Sequence, residues 1–343
     1  MTQHEITKAA PLLDASGNLT EPGWARSLLP VYCRSQIRAP KTRIKEWDYY
    51  CITDGHIGLA LTIADNGYMG LDSISFLNFD ERFEITKSPM RLFPMGKTHL
   101  PESSCLGASE IAASGYALAF YHEDGARQLS FHMESFRGKD AIEGIITLTD
   151  EPIESIVIAT PFDKPGHFYY NQKINCLRAS GWIELGGEKF ELTPDRFFAV
   201  LDWGRGVWTY HNTWYWSSAS GELDGVPFGW NLGYGFGDTT AATENALFYN
   251  GTLHKLEHIN FEIPIKDGKA DFLAPWRFTS SDGRFEMQFQ PVLDRAACTD
   301  LKLLKSDQHQ VFGKFSGTAV LDDGSVLSVR DFFGFAEKVE NKW

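Results

Sequence analysis

An acid, a guanidinium and a knot of tryptophans are the residues of this chain best suited to chemistry. The segment Asp202-Trp203-Gly204-Arg205-Gly206-Val207-Trp208 follows an apolar run at 197–201 that reads as a buried strand. Asp202 and Arg205 could pair, each fixing the charge of the other. In an apolar cavity such a pair would present a polarised donor or hold a carboxyl poised for proton transfer. The same spacing suits a structural salt bridge beneath a glycine-rich turn. Glu244, beside Asn245 at the head of an apolar run, is a candidate second acid or a turn buttress.

Trp203, Trp208, Trp214, Trp216 and Trp230 fall within 28 residues, half of the 10 tryptophans in under a tenth of the chain. A pocket for an apolar or ring-bearing ligand uses that concentration better than a core does, because indole offers broad contact and one N–H donor. Strand alternation puts Trp214 and Trp216 on one face and Tyr215 on the other. Tyr234 lies in Asn231-Leu232-Gly233-Tyr234-Gly235-Phe236-Gly237, where no helix follows the glycines, so a strand making room for close approach is expected rather than a phosphate cradle. His211 has no His or carboxylate at ligand spacing, and His254 and His258 sit in a strand-like run; no metal is expected. No phosphate-binding loop, nucleophile elbow or paired-cysteine motif occurs, so no cofactor is expected.

The elements that must position these residues read as strands. Short alternating runs are broken by Asp54-Gly55, Asp65-Asn66-Gly67, Glu123-Asp124-Gly125, Gly186-Gly187 and Asp322-Asp323-Gly324. Turn residues between alternating runs predict antiparallel hairpins, and their repetition predicts an all-β barrel or sandwich rather than βαβ units. One short helix-like piece covers residues 20–29. Breaks at 160–166 and 264–275 carry the prolines and polar turns of loops.

Composition narrows the function. The chain has 343 residues, 43% of them hydrophobic and 22% charged, a balance that supports a sizeable core. A net charge of −13 disfavours nucleic acid and anionic membranes as partners. No run approaches a membrane span and the N-terminus lacks a signal peptide's apolar core. Five scattered cysteines predict free thiols. A cytoplasmic location is expected.

The residues also carry a resemblance. The run 201–208, Trp214-x-Trp216, Asn231-Leu232-Gly233, Glu244-Asn245 and Pro275-Trp276 resemble the bacterial family called domain of unknown function 2804, over most of the chain. More distantly, Glu46-Trp47-Asp48-Tyr49-Tyr50, His167-Phe168-Tyr169-Tyr170, Asp202-Trp203-Gly204, Gly313–Gly317 and Asp331–Glu337 resemble motifs of the tandem lipocalin-like (calycin) proteins. That group includes carotenoid hydratases (hydroxyneurosporene synthase) and AttH-like proteins, with tocopherol cyclase and some fungal Diels–Alderases as looser relatives. Where those proteins carry Asp-His-Glu-Trp-Gly, the His and Glu are missing here.

The resemblance implies two lipocalin-like units, expected at 1–262 and 263–343, with an apolar cavity near their interface. Asp202, Arg205 and Glu244 are the expected catalytic residues, with Trp208, Trp214, Trp216, Tyr234, His211 and Tyr170 lining the ligand. The expected function is binding of an isoprenoid, polyketide or fatty-acyl-like molecule, with cofactor-free hydration, isomerisation or cyclisation by acid–base chemistry. A non-catalytic carrier and a sugar-binding or carbohydrate-active β protein are the alternatives.

Overall fold

Alternating runs become strands where turn chemistry ends them. Asp54 Oδ1 accepts the amides of His56 and Ile57 at 2.9 and 3.0 Å, closing the hairpin between Ile44–Thr53 and Ile57–Asp65. Gly186-Gly187 joins Phe168–Leu185 to Glu188–Leu192, and Asp323-Gly324 joins Lys305–Val320 to Val326–Lys342. All three were expected hairpins.

The computed structural model describes residues 3–123, 125–300 and 305–342. Among them the fold is all-β, with two 3-10 turns, no α-helix, and no helix long and apolar enough to cross a membrane. Residues 20–29 are not helical. They contain the strand Gly23–Ala25, which pairs with Ile156–Pro161. A short apolar run such as Gly23-Trp24-Ala25 fits a buried strand as well as a helix turn, and the available partner strand decides.

Two large antiparallel sheets, of 14 and 9 strands, form the described molecule. Each curls. In the first, the Tyr116 hydroxyl donates to Asp72 Oδ2 at 2.9 Å, tying together strands far apart in the ladder. In the second, the Tyr234 hydroxyl accepts the Phe261 amide at 3.3 Å. Each curled sheet encloses its own core: Leu61, Phe76, Phe131, Ile146 and Trp203 in the first, Trp230, Trp276, Phe278, Phe289 and Phe315 in the second. Two further clusters, around Trp208 and Phe236 and around Trp216 and Phe335, lie where the sheets face each other.

The chain passes from one sheet to the other between Val207 and His211. Residues 211–262, expected in the larger N-terminal unit, pair within the second sheet, and Ile259–Glu262 is one of its edge strands. The proline-bounded stretch at 264–275 is an excursion containing a small hairpin, Ile265–Lys266 with Lys269–Ala270. The actual crossover, Trp208-Thr209-Tyr210, is aromatic and has no loop-like composition, so nothing local marks it.

Candidate functional site

The site is built from two rows of side chains, one on each sheet. In the first sheet, register aligns Ser73, Thr62, Tyr49, Asp202 and Lys173 side by side across five strands. In the second, it aligns Arg295, Gln310, Glu337, Trp216 and Gly233. Paired residues in a sheet point to the same face, so each row is a polar stripe presented to the other sheet. The rows touch at two points. The Tyr49 hydroxyl donates to Gln310 Oε1 at 3.3 Å, and Lys173 Nζ lies 3.9 Å over the Trp216 ring. Between them is a cavity of about 280 Å³.

One end of the cavity is aromatic. Trp208 meets Trp47, Trp214 and Phe236 edge-on at 5.2, 5.7 and 4.9 Å, and Tyr169 stacks on Trp47 at 6.3 Å. Gly204 makes this possible. A Cβ there would fall 1.9 Å from the Trp47 indole, so only glycine lets that ring lie across the sheet. Gly233 serves Glu244 in the same way, since its Cβ would sit 2.3 Å from Glu244 Oε1.

Four carboxyls line the cavity: Glu84, which accepts from Thr86 Oγ1 at 2.7 Å, and Asp202, Glu244 and Glu337. Asp202 is 8% exposed; it takes an ion pair from Lys173 Nζ at 2.8 Å and a hydrogen bond from Asn171 Nδ2 at 2.6 Å. Glu337 accepts from Trp214 Nε1 at 2.6 Å and from Gln310 Nε2 at 3.3 Å. Burial pushes the Glu337 carboxyl up to about 7; the Trp214 bond, Lys173 and Arg295 oppose the rise and Asp202 adds to it. Glu244 accepts from Asn231 Nδ2 at 3.3 Å, and Asn231 Oδ1 accepts from Trp216 Nε1 at 2.7 Å. Burial also raises the Glu244 carboxyl, opposed chiefly by Lys173 and reinforced by Asp202. The Tyr169 hydroxyl is raised well above its usual range by burial and then by Glu244, Asp202 and Glu337. The arrangement therefore sets a carboxyl pushed up to about 7, Glu337, and a second raised one, Glu244, beside an ion pair and an aromatic cluster.

Of the sequence-predicted residues, Asp202, Glu244, Trp208, Trp214 and Trp216 come together here. Arg205, Tyr170, Tyr234 and His211 do not. Arg205 and Asp202 stand on one unbroken strand, Phe198–Val207, an odd number of residues apart, so they face opposite ways. The expected sharp turn at Gly204 and Gly206 is absent. Arg205 is fully buried inside the first sheet, donating to Asp48 Oδ1 at 3.0 Å and to the carbonyls of Trp47 and Pro101 at 2.8 and 2.7 Å. Tyr170 points the same way, its hydroxyl donating to the Pro30 carbonyl at 2.6 Å; its neighbour Tyr169 is the one in the cavity. Tyr234 stacks on Tyr215 at 4.4 Å on the inner face of the second sheet, because Gly233 and not Tyr234 pairs with Trp216. His211 is exposed at the start of its strand.

Lys173, Glu337, Arg295 and Phe236 were missed. Trp47, Tyr49 and Tyr169 stand within motifs that carried the lipocalin-like resemblance, and strand parity in Glu46-Trp47-Asp48-Tyr49 would have separated the cavity pair from the inward-facing Glu46 and Asp48. Among the described residues, no group of three or more His, Cys, Asp or Glu side chains is placed to hold a metal ion.

Two curled antiparallel sheets packed around a shared cavity make a fold of the lipocalin-like, calycin type. The chain belongs to the family described as a domain of unknown function, DUF2804, whose profile matches residues 3–343. Its fold is similar to that of an AttH-like protein of Nitrosomonas europaea (TM-score 0.57, 13% identity, covering 96% of this chain and 98% of that one). It is also similar to that of kievitone hydratase of Nectria haematococca (TM-score 0.52, 12% identity, covering 97% of this chain and 98% of that one). At these identities the likeness is one of fold. None of the curated proteins matches the chain in sequence.

Proposed function

We propose that the protein binds an apolar small molecule between its two sheets and acts on it by acid–base chemistry of the hydration, isomerisation or cyclisation type. The observation that carries this reading is Glu337, a half-buried acid at the cavity wall that accepts from Trp214 Nε1 and whose carboxyl is pushed up to about 7 by desolvation. A carboxylic acid that still holds its proton at neutral pH can donate it to an alkene or a carbonyl oxygen, a step worth ~10²–10⁴-fold in rate. Positive charge developing on the substrate is stabilised by the faces of the surrounding indoles and by the Asp202 carboxylate. Water then adds to the cation and passes its surplus proton to the Glu337 carboxylate, restoring the acid, or that carboxylate takes a proton from an adjacent carbon, with Glu244 as the second acid beside the substrate. Asp202 fixes Lys173, and both groups set the field felt by the two acids. The indoles interlock edge to face, which suits a compact apolar body better than a sugar ring laid on an open aromatic face.

The test is solvent-proton transfer to the protein's own ligand. The ligand extracted from purified protein is incubated in deuterium oxide with wild type, Glu337→Gln and Asp202→Asn. Catalysis predicts deuterium in the recovered molecule with wild type and a loss of at least tenfold in rate with either variant. Ligand that binds equally well but never gains deuterium identifies a carrier and ends the catalytic reading.

A further inference from the structure

Two cations face the cavity, and they differ in what already holds them. Lys173 is taken by Asp202 and by the Trp216 ring. Arg295 makes one hydrogen bond, from Nη1 to Ser75 Oγ at 3.3 Å, and that hydroxyl also accepts from Thr86 Oγ1 at 2.9 Å. No carboxylate of the described residues lies within ion-pair distance of Arg295. Its strand neighbour Asp294 faces the other way and is bonded to His309 Nδ1 at 2.7 Å. Glu337, two strands across in the same row, has its oxygens occupied by Trp214 and Gln310. A guanidinium has five donors in a planar fork; here most of that fork is uncommitted and half-buried at a cavity wall.

The cavity is also polarised along its length. The aromatic knot of Trp47, Trp208 and Phe236 occupies one end. At the other, Arg295 is followed by the exposed Ala296 and Ala297 and faces the strand of Glu84 and Thr86. A molecule spanning the cavity would have its apolar body among the indoles and its polar end at Arg295.

We propose that the ligand is an amphipathic acid, an apolar body bearing a terminal carboxylate or similarly acidic oxygen group, and that Arg295 is the residue that anchors this anionic end. This deepens the proposed function and rests on the cavity being the ligand site. A guanidinium fork matches two oxygens of one anion, and the anchor would fix which bond of the apolar body lies beside Glu337 and Glu244.

The experiment compares decanoic acid with decan-1-ol, which share a chain and differ in the charged head. Isothermal titration at pH 8 is run on wild type, Arg295→Met and Arg295→Lys, each first shown to melt as a folded protein. The anchor predicts that wild type prefers decanoate, that Arg295→Met weakens decanoate at least tenfold while changing decanol less than twofold, and that Arg295→Lys falls between. Wild type binding both ligands with equal affinity, or Arg295→Met weakening both equally, overturns the anchor while leaving the cavity as the ligand site. Wild type binding neither ligand overturns the anchor and the cavity reading together.

Discussion

Replacing Glu337 by Gln removes one titration and leaves the side chain's shape. The folded-state value for Glu337 is raised from 4.5 to about 7. Between these values the folded protein holds a proton that the unfolded chain has released, so the native state binds more protons than the unfolded state. Stability therefore falls as pH rises through this window, and the loss is complete above about 7. At ~1.4 kcal/mol per pH unit the displacement is worth ~3 kcal/mol. Gln does not titrate and escapes this loss. It keeps an oxygen for Trp214 Nε1 but faces the Gln310 amide with a second donor, a constant cost of ~1 kcal/mol. Glu337→Gln should thus match wild type within a few tenths of a kcal/mol at pH 5 and be the more stable protein at pH 8, by ~2 kcal/mol. Urea unfolding of both proteins at half-unit steps from pH 5 to 8 measures the difference directly. Lys255, pushed down to about 7 by burial, titrates in both proteins and cancels. A difference that stays constant across this range would refute the burial argument and with it the acid role of Glu337.

Four more substitutions separate the cavity from its surroundings. Gly204→Ala puts a methyl group into the Trp47 indole and should cost ~1–3 kcal/mol in unfolding free energy and weaken decanoate binding together; an unchanged melting curve would contradict the packing. Arg205→Met leaves Asp48 without its ion-pair partner inside the first sheet, while Glu46 keeps Arg34 and Tyr32, so thermal melting should reveal a loss of ~3–5 kcal/mol. Decanoate titration well below the melting temperature should be unaltered, and a selective loss of binding would return Arg205 to the site. Tyr170→Phe should cost ~1 kcal/mol of stability and leave ligand affinity alone, whereas Tyr169→Phe should alter ligand affinity; the reverse pattern in paired melting and titration experiments would invert the assigned faces.

The fold was legible because its signals are local. Asp54-Gly55, Gly186-Gly187 and Asp323-Gly324 each close a hairpin through the backbone of a few residues. Trp214 and Trp216 were placed correctly on one face because alternation holds within a single strand. The errors arose where a second strand sets the answer. Tyr169 and Tyr170 are chemically alike, and only packing against the first sheet says which one faces the cavity. Tyr234 is expected to line the ligand with Trp216, but register pairs Gly233 with Trp216 and turns Tyr234 to the opposite face. Asp202 and Arg205 required a bend to meet, but the glycines between and after them serve ring packing in a straight strand. Lys173, Arg295 and Glu337 stand 29, 93 and 135 residues from Asp202, and nothing near any of them in sequence announces that register will bring them together.

The central claim is that the space between the sheets is a ligand site, and native mass spectrometry of two proteins purified side by side tests it most directly. Wild type is compared with Thr62→Trp, whose larger side chain would project from the polar row into the cavity. The account predicts a small apolar molecule retained by wild type, or taken up from added decanoate, and absent or strongly depleted in folded Thr62→Trp. Wild type with no adduct under either condition, or the same adduct held equally by both proteins, would contradict it.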